Sequence, residues 1–244
     1  DLEGDLVPEI SVSRLPTSDS VLLKDICVHL AKYGDYRGCD WGGWQNNIML
    51  CAYQDTPYES AMDDVDKAIK CRYNVIKRYA KNTSKSDVIS TMNSGVLFAV
   101  YRGHGSKQEW SSSNGLNRTD VIALKNITMP PFVLNICCEN GWIDDNSRET
   151  IAEAFVRYKK CVATFASSRD SWTYPNNDFI KYMFEAVMTG KATKPAEIII
   201  YGKTKMMMNH STSNAHKENL VMYNLLGDPS VNVSSNADFL LGQW

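Results

Sequence analysis

Apolar positions along the chain fall into short unbroken runs, and stretches with helical spacing separate them. Asn47 to Tyr53, Gly95 to Tyr101, Pro131 to Cys137 and Cys161 to Ala166 are apolar along most of their length. They are rich in β-branched and aromatic residues, so each predicts an interior strand. Leu6 to Val12 reads as a further strand and Asp87 to Ile89 as a short one. A cap at Ser18-Asp19-Ser20 predicts a helix to about Tyr33. Helical spacing predicts others over about Ser60 to Ala80, Thr150 to Tyr158, Asp178 to Met188 and Ala196 to Met208. Buried strands alternating with helices imply a mainly parallel sheet covered on both faces, which is the α/β class.

In an open α/β sheet, ligands gather at the carboxyl ends of the strands. Those ends read Tyr53-Gln54-Asp55, Arg102-Gly103-His104-Gly105, Cys137-Cys138-Glu139-Asn140-Gly141 and Ser167-Ser168-Arg169-Asp170-Ser171-Trp172. One edge of the sheet thus carries a carboxylate, an imidazole, a thiol and an indole. Neither glycine-rich phosphate-loop pattern is present. A thiol and an imidazole at neighbouring ends suit covalent catalysis, in which the thiolate attacks a carbonyl and the imidazole supplies the leaving group's proton. The amides of Gly105 and Cys138 stand where donors to the developing oxyanion are wanted, and a glycine after the histidine leaves room for the oxygen. The plainer alternative stays open at this point: His104 in a tight turn and Cys138 in the core, unrelated to one another.

Composition narrows the partners. The chain has 244 residues, 43% of them hydrophobic and 22% charged, enough for one large domain or two small ones. A formal net charge of -2 and the lack of a polybasic block argue against a nucleic-acid or anionic-membrane binder. No apolar run approaches a membrane span, and the start at Asp1 has neither methionine nor signal-peptide pattern, so the chain reads as a processed or excised domain. Seven cysteines, an odd number without zinc-type spacing, leave at least one thiol unpaired within the chain. Cys27, Cys51 and Cys161 lie in apolar runs and read as buried small hydrophobes. The five Asn-x-Ser/Thr triplets, at Asn82, Asn117, Asn126, Asn209 and Asn232, are what chance gives in a chain rich in Asn and Ser.

The motifs, taken together, resemble a known family. Tyr101-Arg102-Gly103-His104-Gly105-Ser106, followed by Trp110, is similar to the histidine motif of the gingipain-type cysteine peptidases, which belong with caspases and legumain in the caspase-like superfamily. Pro131 to Gly141 resembles their cysteine motif, in which one residue and then Asn-Gly follow the nucleophile. Ile151 to Phe155, Ser171 to Pro175 and Tyr223 to Ser230 resemble further family segments in the same order. The likeness runs from Pro8 to Val233.

The resemblance implies a caspase-like three-layer fold, with residues 1–244 forming a single catalytic domain. His104 matches the catalytic histidine and Cys138 the nucleophile; strand alternation turns Cys137 to the opposite face, so it is assigned to packing. Asp55, eleven residues after Trp44, falls where gingipains have a glutamate near the histidine. Asp64, with Asp63 beside it, lies near the aspartate at the base of the primary pocket in the arginine-specific members, and Trp172 matches a tryptophan lining that pocket. Asp63, Asp64 and Asp66 are equally explained as acids at the start of a helix. Trp142 and Trp110 are expected in the rim or the core.

The expected activity is that of a cysteine endopeptidase cleaving protein or peptide substrates after basic residues. It needs no cofactor for catalysis, and structural calcium is implied by the family, although no EF-hand-type loop occurs. The resemblance further implies a secreted or cell-surface protein, of which this chain is the catalytic half without a preceding subdomain or an immunoglobulin-like module. Two rivals remain: a sortase-like transpeptidase using the same Cys and His, and a non-catalytic binding module that keeps the fold.

Overall fold

A computed structural model describes residues 6–38, 43–145 and 147–234. In chain order the elements are α1 (Ser20–Ala31), α2 (Tyr33–Gly38), β1 (Asn47–Ala52), α3 (Thr56–Ile69), β2 (Asn74–Tyr79), α4 (Lys85–Ser94), β3 (Phe98–Arg102), β4 (Gly105–Ser106) and β5 (Glu109–Trp110). There follow α5 (Arg118–Ala123), β6 (Phe132–Ile136), α6 (Ile151–Arg157), β7 (Ala163–Ser167), α7 (Thr173–Met188), α8 (Pro195–His210), α9 (Asn214–Met222) and β8 (Tyr223–Gly227). Six strands form one sheet in the order β2-β1-β3-β6-β7-β8; all neighbours are parallel except β7 and β8. The expected α/β class with a mainly parallel sheet is what the chain adopts.

The central strands are buried along their whole length, which is why they read as unbroken apolar runs. Their side chains alternate between the two helical layers. Phe98 points to α7, its ring 5.5 Å from Phe184. Tyr101, three residues on, points the other way and stacks on Trp110, which in turn meets Phe155 of α6. Trp110 is therefore core, its indole N–H donating to Asn135 in β6. Among the described residues no helix is long and apolar enough to cross a membrane.

Four expectations are corrected. Leu6 to Val12 forms no strand; just beyond it the chain meets the sheet edge, where Arg14 bridges Leu226 and Ser13 Oγ donates to Leu225 O and Gly227 O. The helix expected from Ser60 to Ala80 is α3, which ends at Ile69, and the remainder is the strand β2. β2 lies at the sheet edge and mixes Lys77 and Arg78 with Val75 and Ile76, so it lacks the apolar signature of its neighbours. Asp87 to Ile89 lies inside α4, where Ser84 and Asp87 form a reciprocal capping box that outweighs the local β-branched pair. Cys27 is exposed on α1, while Cys51 and Cys161 are buried. Cys39 lies outside the described residues.

The packing of α1 makes stability sensitive to acid. His29 is 5% exposed, and burial together with the positive charges of Lys159 and Lys160 lowers its pKa from the usual 6.5 to about 4. Unfolding restores the ordinary value, so between pH 6.5 and pH 4 the unfolded chain binds the extra proton and stability falls as pH falls. Urea unfolding at pH 7 and pH 4.5 should show a smaller acid loss in His29→Leu than in the parent; equal losses would contradict this account.

Candidate active site

β3 and β6 are adjacent and parallel, with Arg102 opposite Ile136. His104 and Cys138 each stand two residues beyond that pair, so sheet register alone brings the imidazole and the thiol to neighbouring strand ends. His104 is exposed and Cys138 half-buried, so both are open to a substrate.

The two loops are locked together. A Cβ placed on Gly105 would lie 2.6 Å from Cys137 Sγ and 2.7 Å from Cys138 O, closer than real side chains come. Only glycine lets the histidine loop approach the cysteine loop this far. Gly103 is under the same constraint, since a Cβ there would come within 2.5 Å of Tyr101 Oη and 2.7 Å of Tyr53 Cβ. Asn140 supplies the polar half of the lock. Its amide donates to Ser106 O and Glu109 O in the β4–β5 hairpin, while its oxygen accepts from Cys137 Sγ at 3.0 Å. Gly141 packs against Ala166 of β7, completing the Asn-Gly pair that the sequence showed.

The backbone after Cys138 turns sharply. Asn140 N–H returns to Cys138 O at 2.8 Å, and Glu139 takes a φ of 59° in the left-handed region. Ser111 N–H donates to His104 O, and alternation along the β4–β5 pair then leaves Gly105, opposite Trp110, at a non-hydrogen-bonded position. Its N–H points out of the ladder.

Around the imidazole the structure places aromatic rings. Tyr58 Oη lies 3.1 Å from His104 Nε2, and the rings of Tyr53 and Tyr58 meet the histidine edge-on at 5.0 and 5.3 Å. Asp55 is the exposed N-cap residue of α3; among the described residues no ion pair or hydrogen bond joins it to His104. Tyr58, one helical turn later, makes the direct contact. Tyr58 carries no motif signal, and only the fold of α3 against the strand ends reveals it.

Tyr58 is held from behind by Arg102. That guanidinium is 1% exposed, sits 4.6 Å from the Tyr58 ring centre, and donates to Asn177, Thr173 O, Ile136 O and Gly103 O. Its desolvation lowers its pKa below the usual arginine value.

The sulfur of Cys138 accepts the backbone N–H of Ser171 at 3.4 Å, with Ser171 Oγ at 3.9 Å. Ser171 directly precedes Trp172, the N-cap of the sixteen-residue α7. Trp172 is 53% exposed and its indole N–H donates to Glu218 at 2.6 Å. Trp142 sits on the rim between Lys107 and Arg169, whose charges lie over its ring.

The two acids considered for a specificity pocket diverge. Asp63 faces β2, where it binds Lys77 and the Tyr79 hydroxyl, each at 2.8 Å. Asp64 faces a groove of about 690 Å³ between α3 and α7, walled by Pro57, Ala61, Val65, Tyr174 and Phe184. Its present partner is the exposed Lys67 at 2.9 Å, a weak surface pair. Trp172 lies outside that groove's lining.

For calcium the donor chemistry is unpromising at the one cluster of three candidate ligands among the described residues. Asp178, His210 and His216 offer two nitrogens and one carboxylate, whereas calcium takes oxygen.

Comparison with known proteins adds lineage to this geometry. A family model described as Peptidase family C25 matches residues 1–234. Gingipain R2 of Porphyromonas gingivalis (strain ATCC BAA-308 / W83) is 33% identical over 108 residues, which cover 41% of this chain and 14% of that protein. Gingipain R1 of Porphyromonas gingivalis is 32% identical over 108 residues, 41% of this chain and 11% of its own length. The crystal structure of the Arg specific cysteine proteinase gingipain R (RgpB) superposes with a TM-score of 0.84 at 21% identity, covering 95% of this chain and 57% of that one. The complex of Porphyromonas gingivalis RgpB pro- and mature domains gives 0.83 at 21% identity, with 95% and 58% covered.

The burial of the thiols sets their reactivity apart. Burial pushes the Cys51 thiol up to about 12 and raises Cys137 and Cys161 well above their ordinary value, so these three hold almost no thiolate near neutrality. Brief alkylation with iodoacetamide at pH 7.5, mapped by mass spectrometry, should modify Cys138 and leave Cys137 untouched. Modification of Cys137 ahead of Cys138 would reverse the assignment.

Proposed function

The chain belongs to peptidase family C25, a family of gingipain-type cysteine peptidases, and we propose that its strand-end site hydrolyses peptide bonds with Cys138 as nucleophile and His104 as acid and base. The observation that carries this reading is the interlock of the two loops, in which Gly105 rests against Cys137 and Cys138. That contact seals Cys137 into the core and at the same time sets an imidazole loop against a thiol loop at an open edge.

The reaction follows from the residues. The thiolate of Cys138 attacks the scissile carbonyl carbon, and the oxygen takes up the displaced electron pair. The N–H groups of Gly105 and Cys138 stabilise that oxyanion, and Gly105 N–H is directed away from its hairpin partner as this requires. Collapse breaks the C–N bond while His104 protonates the departing amine, leaving a thioester. Water then attacks the thioester carbonyl, His104 takes its proton, and the C–S bond breaks to release the carboxylic acid and return Cys138 as the thiolate beside a protonated His104. With Nε2 against Tyr58, the Nδ1 of His104 is the nitrogen left for proton transfer. Ser171 N–H supports the sulfur as an anion. The role proposed for Asp55 is to add negative charge at the start of α3, on the strand end beside that of His104.

For specificity we propose that an extended basic side chain before the scissile bond lies in the α3–α7 groove, its charge meeting Asp64 at the expense of Lys67. The apolar walls suit the methylene stem, and the structural relative is titled an Arg specific proteinase. The substrates are proteins or peptides met outside the cell or at its surface, and the domain described here is the catalytic unit. The chain spans about 57% of the matched gingipain R chain, so the activity of the whole protein rests on this proposal.

Peptides differing only in the residue before the cleaved bond test both levels. Cys138→Ala should lower turnover at least ~10³-fold, as removal of a nucleophile does; cleavage at the parent rate would sink the mechanism. Asp64→Asn should lose most of the preference for Arg and Lys over uncharged residues while still cleaving. An unchanged preference would move the pocket elsewhere and leave the nucleophile assignment intact. Gly105→Ala must push the histidine loop from the cysteine loop, and a displacement near 1 Å is expected to cost ~10²-fold in kcat/KM. A full-rate Gly105→Ala enzyme would show that the interlock is not needed.

A further inference from the structure

We propose that Asp178, His210 and His216 form a binding site for a divalent transition metal of the zinc type, which pins α7, α8 and α9 together. Asp178 comes from the first turns of α7, His210 is the last residue of α8, and His216 lies in the first turn of α9. Nε2 of His216 stands 3.0 Å from Asp178 Oδ2, and Nε2 of His210 stands 3.5 Å from the same oxygen. The two imidazoles stack 4.0 Å apart, within 10° of parallel, so their Nε2 atoms converge on one carboxylate. One donor atom from each residue falls in a group spanning no more than 4.8 Å. Ligands about 2.0–2.2 Å from a tetrahedral zinc ion sit roughly 3.3–3.5 Å from one another, so small side-chain rotations close the site.

The surroundings of His216 are arranged as a ligand's surroundings should be. Ser213 Oγ lies 2.7 Å from His216 Nδ1 and fixes the ring with Nε2 facing inward. Tyr182 Oη, held by Asn209 at 3.0 Å, lies 3.3 Å from His210 Nε2, a contact on the ligating nitrogen that gives way when the ion binds. His216 is 11% exposed, while Asp178 and His210 are each about a third exposed, which leaves a way in for the ion and a place for a water as fourth ligand. Two imidazoles and one carboxylate select zinc, cobalt or nickel over calcium and magnesium.

The ion would act on structure. α9 also carries Asn219, which accepts the Trp172 N–H and donates to Asn176, and Glu218, which holds the Trp172 indole. A metal that ties α9 to α7 therefore braces the segment whose Ser171 N–H meets the Cys138 sulfur. This inference stands independently of the reaction proposed above.

The test uses the full chain as Cys138→Ala, which removes a thiol that would otherwise compete with the site for metal. After dialysis against chelator, zinc chloride should bind with one equivalent and raise the Tm by about 5 °C or more at 100-fold excess over Kd. Cobalt(II) should give visible absorption bands of a four-coordinate nitrogen and oxygen site. Calcium and magnesium should do neither. His210→Gln and Asp178→Asn, on the exposed side of the cluster, should each weaken zinc binding at least tenfold without lowering the metal-free Tm by more than a few degrees. Should His216→Gln fail to fold, these two decide the matter. Absence of zinc binding by the parent, or binding that survives both substitutions, would overturn the proposal.

Discussion

A buried guanidinium with no carboxylate partner among the described residues is what the edge carrying His104 and Cys138 is built on. Taking Arg102 out of water costs several kcal/mol, even after the surroundings relax. What offsets that cost is a set of donations to oxygens that otherwise belong to separate elements: Gly103 O just past β3, Ile136 O at the end of β6, and Thr173 O and Asn177 at the start of α7. Its face is covered by Tyr58 from α3. Four pieces of chain are thereby fixed relative to one another, and each carries or touches a residue of the proposed active site. Lysine could not substitute, because one compact ammonium cannot fork to oxygens in several directions.

From that anchor the site is assembled by geometry already present in a parallel sheet. Adjacent strands in register deliver His104 and Cys138 to the same level, and the absence of a side chain at Gly105 lets their loops touch. Asn140 then spends its amide on the hairpin after the histidine, so the two loops cannot drift apart without leaving a buried polar group unpaired. Cys137 and Cys138, neighbours in sequence, end in opposite circumstances: one sealed in the core and bonded to Asn140, the other at the surface against Ser171.

Much of this was legible from the chain itself, for reasons that differ by element. β1, β3, β6 and β7 announce themselves because strands buried on both faces must be apolar throughout. β2 and β8 lie at the sheet margins and are not so constrained: β2 was hidden in a helical pattern, and β8 was visible only as a family motif. His104, Gly105 and Cys138 stood out because strand ends are few and their residue types are chemically distinctive. Tyr58, Ser171 and Arg102 did not, since each acts through a contact that bridges long stretches of sequence. Asp64 was the better match of the two acids from the residues that follow it, but only the position of α3 between β2 and α7 decides which acid faces which neighbour.

The charged outer strand that obscured β2 has a consequence for how the molecule meets its own kind. An open strand edge invites another chain to extend the sheet. Here Lys77 is held by Asp63 and Asp66 at 2.8 and 2.7 Å, and Arg78 is bonded to Thr91. A strand approaching that margin would have to strip water from these charges or break their pairings before gaining a ladder hydrogen bond. At the opposite margin, Arg14 already bridges to Leu226 of β8. Six strands is thus a stopping point enforced at both ends, and the sheet is protected from polymerising along the direction in which it was built.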